Sequence, residues 1–497
     1  MPPEGQPRGY RAVIRLLFLL HRYLGIAVGA LMVTWCVSGV VMMYVSYPTL
    51  DENYRLRHLA PISWNGCCAI GYEVQPDGAT VGDFRIEMLH ARPTLYLRNS
   101  RAPARLVDLI TGSLIDAISP TQAASVAASY IPDPQLLAPR LLGLIAYDQW
   151  TVAGSFDADR PLYHFDLGDR QRTELYVSST TGHAVQLTTG RERFWNWLGA
   201  VPHWLYFAQL RHKAALWSQV VIVTSLIGCF LAGTGLYIGV LQLLRRTGGH
   251  WSPYRGFNLW HHIAGLLFGC FALTWVLSGL LSMNPWGWLE GASAQPERTL
   301  LRGRDPSGAR AQAALQALAS THPANLVSIQ IAPLNGRLYF VAVSGADMRW
   351  RLDEDGNAAS LNDADLAYIA ERLKGSGPTD TAQLITHEET YYFSHHLDGA
   401  PLPVYRLAPR DDSRTLYYID PVSGGLIVKF DRGAQGYRWW HEGLHRIDFF
   451  PALRARPQWD ALMLILMTGV TATCLTGAYL GYRRLTRAKT EASSTAI

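Results

Sequence analysis

The sequence is poor in charge. Asp, Glu, Lys and Arg make up 17% of its 497 residues, against about a quarter in an ordinary soluble domain. It also lacks the cysteine spacings that carry chemistry. Its six cysteines include no C-x-x-C pair, which excludes a zinc ribbon, and no C-x-x-C-H, which excludes covalently attached haem. Cys36, Cys229, Cys270 and Cys474 lie in apolar runs, where a thiol behaves as a small apolar group. Cys67 and Cys68 are neighbours, and a bridge between neighbours is expected to be strained. There is no G-x-G-x-x-G nucleotide-binding domain. No serine, cysteine or carboxylate constellation points to hydrolysis.

What is present is long apolar sequence. Four windows, near Tyr23–Val45, Trp217–Leu241, Asn258–Met283 and Trp459–Tyr482, are almost free of charge and have basic flanks. Each meets the roughly 20 residues that a membrane-crossing helix needs. The 16 Trp and 24 Tyr suit aromatic belts at membrane surfaces. The first window is too long for a signal peptide, and YVSYPTL offers no small-residue cleavage site. Arg8, Arg11 and Arg15, then Arg245, Arg246 and Arg255, then Arg483, Arg484, Arg487 and Lys489 mark the short segments. The positive-inside rule places these on the cytoplasmic side. The net charge of +5 is thereby accounted for without nucleic acid.

The expected organisation is a cytoplasmic tail (1–15), a first span (16–47), a first outer segment (48–195), and an interfacial segment with the second span (196–244). A cytoplasmic loop (245–257), a third span (258–284), a second outer segment (285–437), an interfacial segment with the fourth span (438–482) and a tail (483–497) follow. In a bacterium with two membranes the outer segments are periplasmic.

The chain repeats itself. HRYLGIAVGALMVTWCVSGVVMM at His21–Met43 recurs as HHIAGLLFGCFALTWVLSGLLSM at His261–Met283. His21/His261, Gly25/Gly265, Gly29/Gly269, Thr34/Thr274, Trp35/Trp275, Ser38/Ser278 and Gly39/Gly279 keep one spacing. A nearly equal shift aligns Pro161 with Pro403, Tyr176 with Tyr418, Gly182 with Gly424, His203 with His445 and Trp217 with Trp459. TELYVSSTTG becomes TLYYIDPVSG, in each case a strand, a tight glycine turn and a second strand. The unit of helix, outer segment and helix therefore occurs twice in parallel, with a pseudo-twofold axis along the membrane normal. The fold expected is α+β: a four-helix transmembrane bundle with two related outer lobes. Each span also carries a GxxxG, at Gly25/Gly29, Gly235/Gly239, Gly265/Gly269 and Gly477/Gly481. These glycines either allow close helix packing or leave room for a flat cofactor.

Of 16 histidines, four pair under the repeat: His21 with His261 and His203 with His445. An ionisable group at membrane depth marks a functional site by default. Members of a pair related by the axis face each other across it, which suits a metal between two imidazoles. Two imidazoles do not complete a tetrahedral zinc site, but they complete a haem, whose porphyrin leaves two axial positions. One pair low and one pair high places two haems across a core about 30 Å thick, a layout for moving electrons through a membrane. His262 is an alternative to His261, since one residue turns a helix by about 100°. His212 and His441 are weaker alternatives for the outer site. Arg193, Arg211 and Arg438 lie near the outer pair and either bind propionates or are ordinary interfacial arginines. A further cluster, His387, Glu388, Glu389, His395 and His396, has no histidine counterpart in the first half. It is either a packed strand or, through His395 and His396, a contact for substrate.

DQWTV (148–152), FWNWLGAVPHWLYF (194–207), HHIAGLLFG (261–269), TWVLSGLLSMNPW (274–286) and YYFSHH (391–396) together resemble the PepSY-associated transmembrane helix family of iron-regulated membrane proteins. The resemblance covers nearly the whole chain. LVDLITGSLI followed by PTQAASVAASYI is similar to the strand-then-helix of a PepSY unit. The resemblance implies an inner-membrane protein with PepSY-like periplasmic lobes and b-type haem, acting as a ferrisiderophore reductase. It implies electrons passed outward to a ferric siderophore or other ferric chelate, with release of ferrous iron. The chain ends about 15 residues after its last apolar window, so a membrane quinol or a separate cytoplasmic reductase is the expected electron donor. Two other functions use the same architecture. A transporter of iron, siderophore or peptide needs a polar pathway that the spans do not offer. A regulator whose outer lobes bind a secreted partner needs no buried histidine.

Overall fold

The computed structural model describes residues 8–69, 82–99, 102–131, 138–244, 252–321, 324–373, 382–394, 399–409 and 414–494. The chain divides into two compact units. One holds residues 1–47, 194–290 and 433–497, and the other holds 48–193 and 291–432.

The first unit is built on four long helices, Arg8–Met42, Ala214–Leu244, Phe257–Ser282 and Gln458–Ser494. All four are long and apolar enough to cross a membrane. The first begins before its apolar window and the fourth runs past its own, with no proline within Arg8–Arg22 or Arg483–Ser494 to break them. Contacts fix their directions. His21, early in the first helix, meets Leu231, late in the second. Gly39, late in the first, meets Met467, early in the fourth. His262, early in the third, meets Gly239, late in the second. The first and third helices therefore run one way, and the second and fourth run the other.

Glycines set the spacing of the helices. A Cβ at Gly269 would stand 2.8 Å from Leu236, and one at Gly481 would stand 2.9 Å from Ile26. A Cβ at Gly239 would stand 3.2 Å from Leu266. These members of the GxxxG motifs are close-packing positions.

The second unit is α+β. Its largest sheet uses β1 (Asp83–Leu89), β2 (Arg92–Asn99), β3 (Ala102–Asp108) and β4 (Leu114–Ile115) from the first outer segment. It uses β9 (Leu326–Ile331), β10 (Tyr339–Ser344) and β11 (Arg349–Asp353) from the second. The strand order is β11-β10-β9-β1-β2-β3-β4. The joint is the antiparallel pair β1–β9, with Ile86 opposite Ile329 and Glu87 opposite Ser328. The two segments expected to form two related lobes thus share one sheet. Each half alone would leave an unpaired edge strand, and pairing the two removes both edges. One core is shared, with Ile86, Leu95 and Val107 from the first segment packed with Ile329, Phe340 and Leu315 from the second.

An ionic cluster holds the joint. Arg55 donates two hydrogen bonds of 2.8 Å to the fully buried carboxylate of Glu87. Ser328 Oγ donates at 3.0 Å, and His183 Nε2 lies 3.1 Å away. Burial alone would raise the Glu87 carboxyl. The bonds from Arg55 and His183 outweigh it and hold the group well below the usual carboxylate range.

Each segment also contributes a four-stranded sheet. One is β5 (Arg140–Ile145), β6 (Leu162–Asp166), β7 (Glu174–Ser178) and β8 (Ala184–Thr188). The other is β12 (Gln383–Ile385), β13 (Val404–Leu407), β14 (Leu416–Ile419) and β15 (Leu426–Phe430). The turns after β7 and β14 place Gly182 at φ +72° and Gly424 at φ +73°, a conformation glycine adopts freely. PTQAASVAA forms a helix at Pro120–Ala128, started by Ser119 and Gln122 as a capping box with proline in the first turn. Cys67 and Cys68 are bridged, contrary to the expectation from their adjacency.

Candidate functional site

Four histidines meet as two pairs inside the helical unit. The rings of His21 and His261 have centroids 6.3 Å apart and are tilted by 38°. Those of His203 and His445 are 6.1 Å apart and inclined at 77°. His21 and His261 stand near the starts of the parallel first and third helices. His203 ends the short helix Ala200–His203, and His445 lies in the turn Leu444–Arg446. His203 touches the first helix at Ser38. At 1.5 Å rise per residue, Ser38 and His21 are about 25 Å apart along that helix, close to the thickness of a hydrocarbon core.

Every one of these imidazoles is held at Nδ1 by a different long helix. His21 Nδ1 donates to the Leu231 carbonyl at 3.1 Å, and His261 Nδ1 donates to the Thr473 carbonyl at 3.1 Å. The hydroxyls of Thr234 and Thr476 lie 3.5 and 3.2 Å from the same two nitrogens. His203 Nδ1 donates to the Trp35 carbonyl at 3.1 Å, with Ser38 Oγ at 3.1 Å. His445 Nδ1 lies 2.9 Å from Ser278 Oγ. That hydroxyl donates its own proton to the Trp275 carbonyl at 3.0 Å and so accepts from the histidine. A carbonyl only accepts, so in each ring Nδ1 carries the proton and Nε2 keeps the lone pair that binds a metal.

The spacing suits a shared metal. A metal–imidazole bond is about 2 Å, and the ring centre lies about 1 Å beyond the nitrogen, so two rings on one metal stand about 6 Å apart. Both pairs meet that distance. Among the described residues no three His, Cys, Asp or Glu side chains converge as a metal cage. A porphyrin, with four nitrogens in plane and two axial positions open, fits that donor set.

Two glycines seat the rings of His21 and His261. A Cβ at Gly235 would stand 2.7 Å from His21 Cε1, and one at Gly477 would stand 3.0 Å from His261 Cε1. The missing side chains let each imidazole lie against a neighbouring helix. Glycine spacing alone showed the positions but not this use. The serines and threonines that fix Nδ1 were visible only as members of the repeated skeleton, with nothing local to give them a role.

The other candidates separate clearly. His262 has both nitrogens engaged, Nδ1 with Ser252 Oγ at 2.8 Å and Nε2 with the Gly239 carbonyl at 2.9 Å. Nε2 donates to that carbonyl, and the one remaining lone pair, on Nδ1, accepts from the Ser252 hydroxyl. His441 joins the outer pair: its ring is 5.6 Å from that of His445, and its Nδ1 donates to the Ser278 carbonyl at 2.9 Å. His212 follows the helix Ala208–Arg211 and belongs to neither ring pair. Arg211 stacks over Tyr206 and Trp217. Arg438 is buried against Asp448 at 2.9 Å. Arg193, in the other unit, pairs with Glu174 at 3.0 Å. These arginines have protein partners, as ordinary interfacial or structural arginines do. In the outer cluster Glu389 binds Arg406 at 2.7 Å, and Glu388 accepts from the Ser394 amide at 3.0 Å. His387 is exposed. His395 and His396 lie outside the described residues.

No protein-family model matches the sequence, and no curated protein matches it.

Proposed function

We propose that this chain is a haem-carrying membrane reductase of the PepSY-associated transmembrane helix type. It passes electrons outward to a ferric siderophore or another ferric chelate in the periplasm, so that ferrous iron is released. The observation that carries the reading is the pair of imidazole pairs at 6.3 and 6.1 Å, with every Nδ1 fixed and every Nε2 left as the ligand atom.

His21 and His261 would hold one haem b, and His203 and His445 a second. When bound, the group would supply one-electron chemistry at a potential set by the residues that hold it and by burial. The chain's own residues do the rest. The carbonyls of Leu231, Thr473 and Trp35 and the Ser278 hydroxyl orient the rings and raise their basicity. The apolar helices keep water from them. One electron reduces a ferric chelate to the ferrous state, which hard oxygen donors hold more weakly. A membrane quinol or a separate cytoplasmic reductase supplies the electron.

The duplication is supported by contacts that recur at the same shift. Gly235 and Gly477 seat the inner histidines, and Ser38 and Ser278 contact the outer ones. In the other unit Tyr176 donates to Asp148 at 2.6 Å, and Tyr418 donates to Glu389 at 3.2 Å.

The test is a reduced-minus-oxidised absorption spectrum of the purified chain, with pyridine extraction to count haem. Sharp b-type bands and two haems per chain are expected, with oxidation by a ferric siderophore. A colourless protein after expression with ample haem would refute the reading and return the chain to a transport or binding role.

A further inference from the structure

We infer that the Cys67–Cys68 bridge is a reversible redox modification site, opened by exchange with a dithiol reductant. The bridge joins neighbours. A disulfide stabilises a fold mainly by closing a loop in the unfolded chain, and the gain grows with loop length. A bridge between adjacent residues closes almost no loop, so stapling does not account for it. It also links no two elements of the fold.

The surroundings hold the pair in place without the sulfurs. The Cys67 amide donates to the Trp64 carbonyl at 3.1 Å, and the Ala69 amide donates to the Leu109 carbonyl at 2.8 Å. Gln312 Nε2, from the helix Gly308–Thr321, donates to the Cys68 carbonyl at 2.7 Å. With the backbone tied on both sides, opening the bridge leaves the local fold standing. The two sulfurs differ in access. Cys68 is 7% exposed and packs in the core with Trp64, whereas Cys67 is only partly buried at the edge of that core. An incoming thiolate reaches Cys67 first. It forms a mixed disulfide there, and Cys68 leaves as a thiolate that takes up a proton. The reductant's second thiol then displaces Cys67, so that the reductant is oxidised to its own disulfide and two protein thiols result. The product is a vicinal dithiol, a chelator of thiophilic trivalent arsenicals.

The site is tested on the full chain in detergent by differential alkylation and peptide mapping, which separates these cysteines from Cys36, Cys229, Cys270 and Cys474. As isolated, the peptide carrying Cys67 and Cys68 should take no label. Dithiothreitol should open it in the native protein at a rate within about tenfold of that in the urea-unfolded chain. Phenylarsine oxide should then protect both thiols from label, and indole emission should rise in wild type but not in Trp64→Phe. Labelling without reductant, or opening only after unfolding, would overturn the inference. Cys67→Ser checks the order of attack: the remaining Cys68 should label far more slowly in the native chain than Cys67 does in Cys68→Ser, and equal rates would overturn that order.

Discussion

Gly235→Ala tests whether the inner histidines are positioned by the helix they lean on. The added methyl would sit 2.7 Å from His21 Cε1, 3.3 Å from Nδ1 and 3.5 Å from Nε2. Real side chains do not approach so closely, and an imidazole is a rigid plate whose Nδ1 is tied to Leu231, one turn away on the same helix. The ring must move by several tenths of an ångström and stretch that bond. Overpacking of this kind costs about 1–3 kcal/mol, and loss of the bond adds about 1 kcal/mol. Gly233→Ala is the control. A Cβ there meets nothing within 4 Å, and Gly→Ala at a tolerant helical position stabilises by about 0.4–1 kcal/mol. Two changes, two residues apart on one helix, should therefore have opposite signs. The assay is thermal unfolding in detergent together with haem counted per chain. Gly235→Ala should lower the midpoint and lose the spectral component of one site, leaving the other intact. Gly233→Ala should raise the midpoint slightly and keep both. If the two variants behave alike, or if Gly235→Ala keeps a full complement of haem at wild-type stability, the seating argument is wrong.

Four further outcomes follow from named contacts. His21→Ala or His261→Ala should remove one haem per chain, and His203→Ala or His445→Ala the other, with pyridine extraction falling from two to one in each case. His262→Ala should keep both haems, because the structure engages both of its nitrogens with Ser252 and Gly239; loss of a haem would restore it as a ligand. Arg55→Ala should destabilise the α+β unit by about 3–5 kcal/mol, since it strips a buried carboxylate of its main partner. Glu87 has a depressed folded pKa, so its contribution is complete above its ordinary value of 4.5 and fades as pH falls through the folded value. Denaturant unfolding of wild type should therefore weaken with acidification below about 4.5, and that slope should flatten in Glu87→Gln.

The long helices were legible because a bilayer-length apolar run is a local signal. The meeting of His21 with His261 and of His203 with His445 was legible because each pair keeps the repeat's spacing. What the sequence hid depends on contacts between distant segments. The β1–β9 joint pairs residues from the two halves, and nothing within either strand marks its partner. The recurring skeleton suggests two similar segments but says nothing of which sheet edges they share. His261 and His262 differ by one step of helical rotation, and only the Ser252 and Gly239 partners tell them apart. The Cys67–Cys68 bridge was missed because adjacency argued against it.

The held nitrogens tie the site to the assembly of the bundle. His21 is fixed by the second helix, His261 by the fourth, His203 by the first and His445 by the third. No long helix orients a histidine that it carries itself. A lone helix would present its imidazole free to rotate and choose either tautomer, whereas the first two long helices together hold His21 and His203 and the last two hold His261 and His445. With the two long helices of a half packed together, both Nε2 atoms of that half are left as the acceptors. Buried donors and carbonyls of this kind are costly to leave unpaired, so the same bonds that orient the imidazoles also favour the packed bundle. Each pair takes one histidine from each half of the chain. A metal group bound between them would therefore bridge the two halves, and removing it should loosen their packing more than it loosens either half alone.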